Sequence, residues 1–285
     1  MTVERAAFER IRRLVHSQAG IVVDDGKEYL VEARLSALPQ EFGLKRIEDV
    51  AERINTEPAL ATRVVEAMTT NETSFFRDHR PFEILRTDIL PELLRRRAPR
   101  NTLEIWCAAC ASGQEPYSIA MLLREQFPEL ANWTIRILAT DISHAILERA
   151  KAANFSQLEV NRGLSAAQLL KHFDRAGLHW VLKQDLKASV TFAHLNLIGQ
   201  WPIMPRFDIV FIRNVLIYFD MDTKRLVLNR VGGQLSADGY VFLGGGETLI
   251  DTDSPFERMN FERASCYRLV SGKQRANLSA APGRE

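Results

Sequence analysis

Cysteine is scarce in this chain of 285 residues: Cys107, Cys110 and Cys266 make an odd set of three. Such a set excludes a disulfide framework and points to a reducing compartment, with the cytoplasm as the expected location. No apolar run approaches the roughly 20 residues of a membrane-spanning helix; Phe207–Ile212 is typical of those present. The first ten residues, MTVERAAFER, are charged at once and have no apolar stretch, so no secretory signal is expected. Charge of neither sign is in excess, because 37 Lys and Arg stand against 36 Asp and Glu. There is thus no global field to draw nucleic acid or an anionic membrane, and any basic surface must be local. The histidines, at 16, 79, 144, 172, 179 and 194, show no metal-ligand spacing. Cys107-Ala-Ala-Cys110 has no second cysteine pair and reads as small packing residues, so no metal is expected. Gly244-Gly-Gly-Glu247 lacks the Lys-Ser/Thr of a P-loop and reads as a tight turn.

What is present is an ordinary globular composition, 46% hydrophobic and 26% charged, in a chain long enough for one large α/β domain and a small satellite. Residues 1–70 carry helical spacing without a convincing strand pair: Phe8, Ile11, Leu14 and Val15, then Tyr29, Leu30, Ala33 and Leu35, then Val64, Val65 and Met68. A small all-helical domain is expected there. A helix should follow from Pro81 to Arg97, with Arg95, Arg96, Arg97 and Arg100 as its solvated end. From residue 103 the pattern alternates. Strands are expected at Leu103–Cys107, Thr134–Ala139, Phe207–Ile212 and Tyr240–Leu243, and helices at Pro116–Gln126, His144–Ala153 and Thr223–Leu235. Such alternation implies an α/β doubly wound, mostly parallel sheet with its ligand at the carboxyl ends of the strands. Between Phe155 and Asn196 the rhythm breaks. Leu178–Leu182 and Val190–His194 suggest a small antiparallel β insertion near 155–195. The division is then 1–70 helical, 71–272 the ligand-binding α/β domain, and 273–285 a polar tail expected to be disordered.

The loop after the first strand, Ala108-Ala-Cys-Ala-Ser-Gly-Gln-Glu115, lets backbone approach a ligand closely. It has one glycine and a carboxylate where a dinucleotide site would have Gly-x-Gly-x-x-Gly for a pyrophosphate. Glu115 repels phosphate but suits an ammonium group, which favours S-adenosylmethionine over NAD. Asp141, at the end of the second strand, can accept both ribose hydroxyls, although an acid there can also be a helix N-cap.

Three segments resemble the signatures of the CheR family, the chemotaxis receptor glutamate O-methyltransferases. They are Asn71-Glu-Thr-Ser-Phe-Phe-Arg77, Ile105-Trp-Cys-Ala-Ala-Cys-Ala-Ser-Gly-Gln-Glu-Pro-Tyr-Ser118 and Phe207-Asp-Ile-Val-Phe-Ile-Arg-Asn-Val-Leu-Ile-Tyr-Phe219. The resemblance spans nearly the whole chain and implies a class I SAM-dependent methyltransferase with S-adenosyl-L-homocysteine as product. It places Asn71, Thr73 and Arg77 on the cofactor from the linker, Glu115 on the methionine amino group and Asp141 on the ribose. Asn196 and Leu197 fall beside the adenine, and Arg213 and Asn214 complete the pocket. Arg77 and Tyr218 fall beside the transferred methyl. The structural alternative for those two is an interdomain salt bridge and a core-edge aromatic.

The implied partners are methyl-accepting chemotaxis receptors, met through their cytoplasmic helical region, with no nucleic acid and no direct membrane insertion. A monomer is compatible with the sequence, which leaves oligomeric state open. Arg10, Arg12, Arg13, Lys27 and Arg34 are candidates to meet an acidic receptor helix. Two features depart from the family: Gly245 and Gly246 stand where many members have histidine and serine, and the insertion around 173–192 is shorter than in enteric members. The latter puts in doubt the docking of a receptor's C-terminal peptide there. A non-catalytic SAM-binding regulator and a methyltransferase for another carboxylate are the competing functions. The absence of an Asn/Asp-Pro-Pro-aromatic motif disfavours DNA bases as substrate.

Overall fold

A computed structural model describes residues 3–249, 254–259, 261 and 266–270. The expected tail at 273–285 lies outside them. At the N-terminus the helical spacing becomes helices α1 (Arg5–Ala19), α2 (Glu28–Leu35), α3 (Leu38–Glu41), α4 (Ile47–Arg53) and α5 (Pro58–Met68). Phe8, Ile11 and Val15 of α1 are fully buried against Val31, Val50, Leu60 and Val64, which gives this part a core of its own. Prolines at the first turns of α3 and α5 cost nothing there, since the first N–H groups of a helix have no partner.

The expected helix over 81–97 is continuous but not uniform. It runs as α6 (Arg80–Ile84), a π turn at Leu85–Ile89 and α7 (Leu90–Arg97). Pro91 lies just past the widened turn; it lacks an N–H, and its ring would meet the carbonyl four residues back in a regular helix.

The α/β domain follows with β1 (Thr102–Ala108), α8 (Gln114–Gln126), β2 (Thr134–Asp141), α9 (His144–Ala152), β3 (Asn154–Ser156), α10 (Gln157–Asn161), α11 (Ala166–His172), β4 (Phe173–Ala176), β5 (His179–Leu182), α12 (Gln184–Lys187), β6 (Val190–His194), β7 (Phe207–Ile212), α13 (Met221–Gln234), β8 (Leu235–Phe242), β9 (Phe256–Arg258) and β10 (Cys266–Leu269). The main sheet has the order β6-β2-β1-β7-β8-β10-β9. Its first five strands are parallel, and β10 and β9 close it antiparallel. Alternate residues of each central strand enter opposite cores. Ile105, Cys107, Ile209 and Phe211 join one cluster, while Trp106, Ala108, Val210 and Ile212 join the other. A sheet buried on both faces explains why these strands read as continuous apolar runs.

Two sequence expectations need correction. Val190–His194 is not part of the antiparallel insertion: it is β6, the parallel edge strand of the main sheet, paired from Ile137↔Val190 to Asp141↔His194. Five half-buried residues suit either sheet locally, and the choice falls to packing. Val190 is buried, and Phe192 meets the Tyr117 ring edge-to-face at 5.7 Å. The insertion is the smaller sheet β3-β5-β4, whose Phe155 and Phe173 pack on Phe75 at 5.0 and 5.6 Å.

The basic helix end is not uniformly solvated either. Arg95 and Arg96 are exposed, but Arg97 is buried, with Nε 2.7 Å from Asp208 Oδ1 and Nη1 2.9 Å from Asp238 Oδ2. Asp208 also accepts the Glu104 N–H at 3.0 Å, so one carboxylate ties α7 to β1 and β7.

Candidate functional site

The chain order turns around between β1 and β7: β2 and β6 lie on one side, β8 on the other. Ligands of such sheets bind at this switch point, and a cleft enclosing about 860 Å³, counted to its open mouth, lies there. The loop between β1 and α8 forms its floor. Ala109, Ala111 and Gly113 all have left-handed backbone, at φ 58°, 48° and 90°. At Gly113 a Cβ would also stand 3.1 Å from that of Ala150 and 3.2 Å from the Tyr117 ring, so the turn depends on glycine.

Asp141 ends β2. Its Oδ2 accepts the Ala111 N–H at 2.9 Å and its Oδ1 the Ser143 N–H at 3.1 Å. The helix-cap alternative for Asp141 does not hold, because Ser143 caps α9 by accepting the Ile146 N–H. Burial pushes the Asp141 carboxyl up; the N–H groups and His194 hold it down.

Glu115 lies in the first turn of α8, where the helix dipole favours a carboxylate. Burial pushes it up as well, opposed mainly by Arg213, whose Nη1 is 2.7 Å away. Arg213 follows β7 and is itself buried. It donates from Nη2 to Asp78 Oδ2 at 2.7 Å and to the Arg77 carbonyl at 3.0 Å, while its Nε is buried without a partner among the described residues.

The wall opposite is the linker between the domains. Asn71, Thr73 and Arg77 line it, and the Phe76 N–H is held by Ser118 Oγ at 2.9 Å. Phe76, Asp78 and His79 all have positive φ, a cost of about 1–3 kcal/mol each that surrounding structure must offset. Arg77 is anchored by one nitrogen, Nη1, on the Glu72 carbonyl at 2.8 Å.

The apolar wall is Ile142, Leu195, Leu197 and Ile21. Asn196 lies there too, but its amide is committed within the protein: Nδ2 donates to the Gln18 carbonyl at 2.6 Å and Oδ1 accepts the Ile198 N–H at 3.1 Å. Asn214, at φ 59°, and Tyr218, in a short 3-10 turn (Leu216–Tyr218), form the rim. All ten residues expected at the site, Asn71, Thr73, Arg77, Glu115, Asp141, Asn196, Leu197, Arg213, Asn214 and Tyr218, therefore line one cleft.

Sequence reasoning missed Glu66, Asp78 and Glu247, and the contribution of Ala19 and Ile21 from the helical domain. Glu247 was legible only as part of a turn, which it does close by donating to the Gly244 carbonyl at 2.9 Å. Gly245 and Gly246 leave open space; a Cβ at Gly245 would come no nearer than 3.9 Å to Asp78 Oδ2. The basic residues offered for receptor contact divide. Arg10 and Arg13 are exposed on α1, whereas Arg12 pairs with Asp25 at 2.9 Å, Lys27 with Asp24 at 2.6 Å, and Arg34 donates to the Met68 and Thr69 carbonyls and Thr70 Oγ1.

Two buried acids at the floor, an apolar wall and small-residue backbone suit a nucleoside that carries a cationic ammonium group. They do not suit a pyrophosphate, which Glu115 in the β1–α8 loop would repel. S-adenosylmethionine fits this donor and acceptor set.

Comparison with known proteins agrees. A family model described as "CheR methyltransferase, SAM binding domain" matches residues 71–265, and one described as "CheR methyltransferase, all-alpha domain" matches residues 6–69. A protein named Chemotaxis protein methyltransferase 1 from Pseudomonas aeruginosa is 40% identical over 273 residues, covering 94% of this chain and 99% of its own. Chemotaxis protein methyltransferase Cher2 of Pseudomonas putida is 39% identical, covering 87% and 92%. A chemotaxis protein methyltransferase of Vibrio parahaemolyticus is 39% identical, covering 94% and 98%.

Proposed function

The chain belongs to the CheR family of methyltransferases, and we propose that it esterifies glutamate side chains on the cytoplasmic helical region of methyl-accepting chemotaxis receptors, leaving S-adenosyl-L-homocysteine. The observation that carries this is the composition of the cleft mouth. Arg77 and Tyr218 share it with the two buried acids below, and no histidine is among the described residues that line it. A substrate carboxylate, with an ordinary pKa of about 4.3, is ionised at neutral pH and needs no general base. It needs alignment and a dry site.

Bound S-adenosylmethionine supplies an electrophilic methyl group on a sulfonium. The chain's residues hold the two partners in place. Asp141, fixed by two N–H groups, accepts the ribose hydroxyls; Glu115, paired with Arg213, accepts the ammonium. Arg77, with one nitrogen spent on the Glu72 carbonyl, meets the substrate carboxylate with the remainder of its guanidinium. A partial contact is what transfer requires, since a tight pair would stabilise the ground state. Tyr218 hydrogen-bonds at the reacting centre, and Ala19 and Ile21 close the cleft from the helical domain. Orientation of this kind contributes about 7–11 kcal/mol, more than one acid or base supplies. A cytoplasmic location accords with the receptor region it would meet, and no helix among the described residues is long and apolar enough to cross a membrane.

The test is methyl transfer from labelled S-adenosylmethionine to receptor-containing membranes, followed by alkali. Label released as methanol supports glutamyl ester formation. Cofactor binding without receptor labelling would leave a regulator, or a methyltransferase for another carboxylate. In the same assay Arg77→Ala should lower kcat about 100-fold while the S-adenosylhomocysteine Kd moves less than about threefold; full turnover would remove Arg77 from that role.

A further inference from the structure

Glu66 belongs to α5 of the helical domain, yet its carboxylate reaches into the other domain. The side chain is only 6% exposed. Its Oε1 accepts the backbone N–H of His144 at 2.6 Å, and its Oε2 is held by Arg63 Nη1 at 2.9 Å. Arg63 gives its remaining nitrogens to Glu41. His144 is the first residue of α9, where an N–H has no intrahelical acceptor. Two other donors of this turn are satisfied from within their own domain: Ser143 N–H by Asp141 Oδ1, Ile146 N–H by Ser143 Oγ. The helix N-terminus that follows Asp141 therefore has one of its donors, the His144 N–H, accepted from across the domain boundary. The same residue also fixes the linker. Its carbonyl accepts both the Thr69 N–H at 3.1 Å and Thr69 Oγ1 at 2.7 Å, where the chain leaves α5 for Thr70 and Asn71 at the cleft.

We propose that Glu66 is a positioning residue for the cofactor: it holds the Asp141–His144 turn in the arrangement that receives the nucleoside, so that the helical domain sets cofactor affinity. This rests on Asp141 as the nucleoside's acceptor. Without the Glu66 carboxylate the His144 N–H lies part-buried and unpaired, the first turn of α9 frays, and Asp141 loses the rigid neighbour through which Ser143 reaches it.

The experiment is calorimetric titration of the full-length protein with S-adenosylhomocysteine, so that no turnover is required. Glu66→Ala should weaken binding by about five- to twentyfold. Glu66→Gln, whose amide oxygen still accepts the N–H, should stay within about twofold. A purely structural role would lower the melting temperature and leave the affinity of the folded protein unchanged, which would overturn the proposal. Should Glu66→Ala not fold, His144→Pro cuts the same tie from the other side, because proline is tolerated at a first helical position but has no N–H. It should bind S-adenosylhomocysteine more weakly than His144→Ala, which loses the ring and keeps the N–H; equal affinities overturn the proposal. Asp141→Asn separates the premise from the inference. If Asp141→Asn binds as tightly as the parent, the assignment of Asp141 fails; if it weakens binding and Glu66→Ala does not, Glu66 alone is excluded.

Discussion

Glu247 shows how much a single buried carboxylate can organise. It accepts the N–H groups of Asn214 at 2.8 Å, Gly244 at 2.7 Å and Ile217 at 3.3 Å, and so binds the turn after β8 to the loop that presents Tyr218. Glu247→Gln replaces one acceptor oxygen with an amide that faces a donor. It should cost about 1–3 kcal/mol in urea unfolding and lower kcat with Tyr218, while S-adenosylhomocysteine affinity changes less; unchanged turnover and stability would refute it. Arg97 is a second such case. Arg97→Met would leave Asp208, 2% exposed, without its main counter-charge, a loss of about 3–5 kcal/mol in denaturant titration. Arg97 also depresses Asp238 to about 2. A lowered carboxyl pKa gives stability that is present above the ordinary value near 4 and lost as pH falls toward 2, so over that window the parent should weaken more steeply than Arg97→Met. Asn71, Thr73, Arg77, Glu115, Arg213, Asn214 and Tyr218 were legible because they fall in long contiguous motifs, Asp141 because it ends a recognisable strand, and Asn196 and Leu197 only through the family resemblance. Glu66, Glu247 and Arg97 were not, because their partners are backbone groups or acids far along the chain. Nothing in Arg95-Arg-Arg97 tells which arginine turns inward.

Among the elements, periodicity located the strands β1, β2, β7 and β8 and the helices between them, since each is apolar enough to be recognised alone. It could not assign β6 to its sheet, for which the neighbour is decisive. The edge position of β6 brings His194 opposite Asp141, and its ring stacks on His144 at 4.1 Å between centroids. Burial and the His144 ring lower the His194 pKa from its usual 6.5, opposed by Asp141 and Glu66 from β2 and α5. Because the folded value lies below the unfolded one, the neutral ring's contribution is fully present above pH 6.5 and is lost as pH falls through the lowered value. Stability measured by chemical denaturation should therefore drop below pH 6.5 in the parent and follow a flatter course in His194→Asn. Parallel profiles would mean that the stack does not matter to folding.

For the molecule as a whole, the helical domain is not a separate bead, since its end closes the cleft. Gly20 caps α1 at φ 72°, and beyond it Ile21 forms a bridge with Phe219 while the Val22 N–H reaches the Tyr218 carbonyl at 2.8 Å. His16 pairs with Asp220 at 2.6 Å, and Gln18 accepts the Asn196 amide. At Gly20 a Cβ would stand 2.9 Å from Thr223 Cγ2 and 3.1 Å from Ile198 Cγ2, in a backbone region that L-residues avoid. Gly20→Val should therefore push α1 off the rim as well as strain the turn. In the parent, S-adenosylhomocysteine at a hundred times its Kd should stabilise both domains together by about 2.7 kcal/mol, in one cooperative transition. In Gly20→Val the ligand should stabilise less at the same concentration, because part of its binding energy is spent on redocking the helical domain, and melting should separate into two steps without ligand. If Gly20→Val melts in one step and gains the same ligand stabilisation as the parent, the cleft is complete without the helical domain, and the contacts around Gly20 merely tether the two domains.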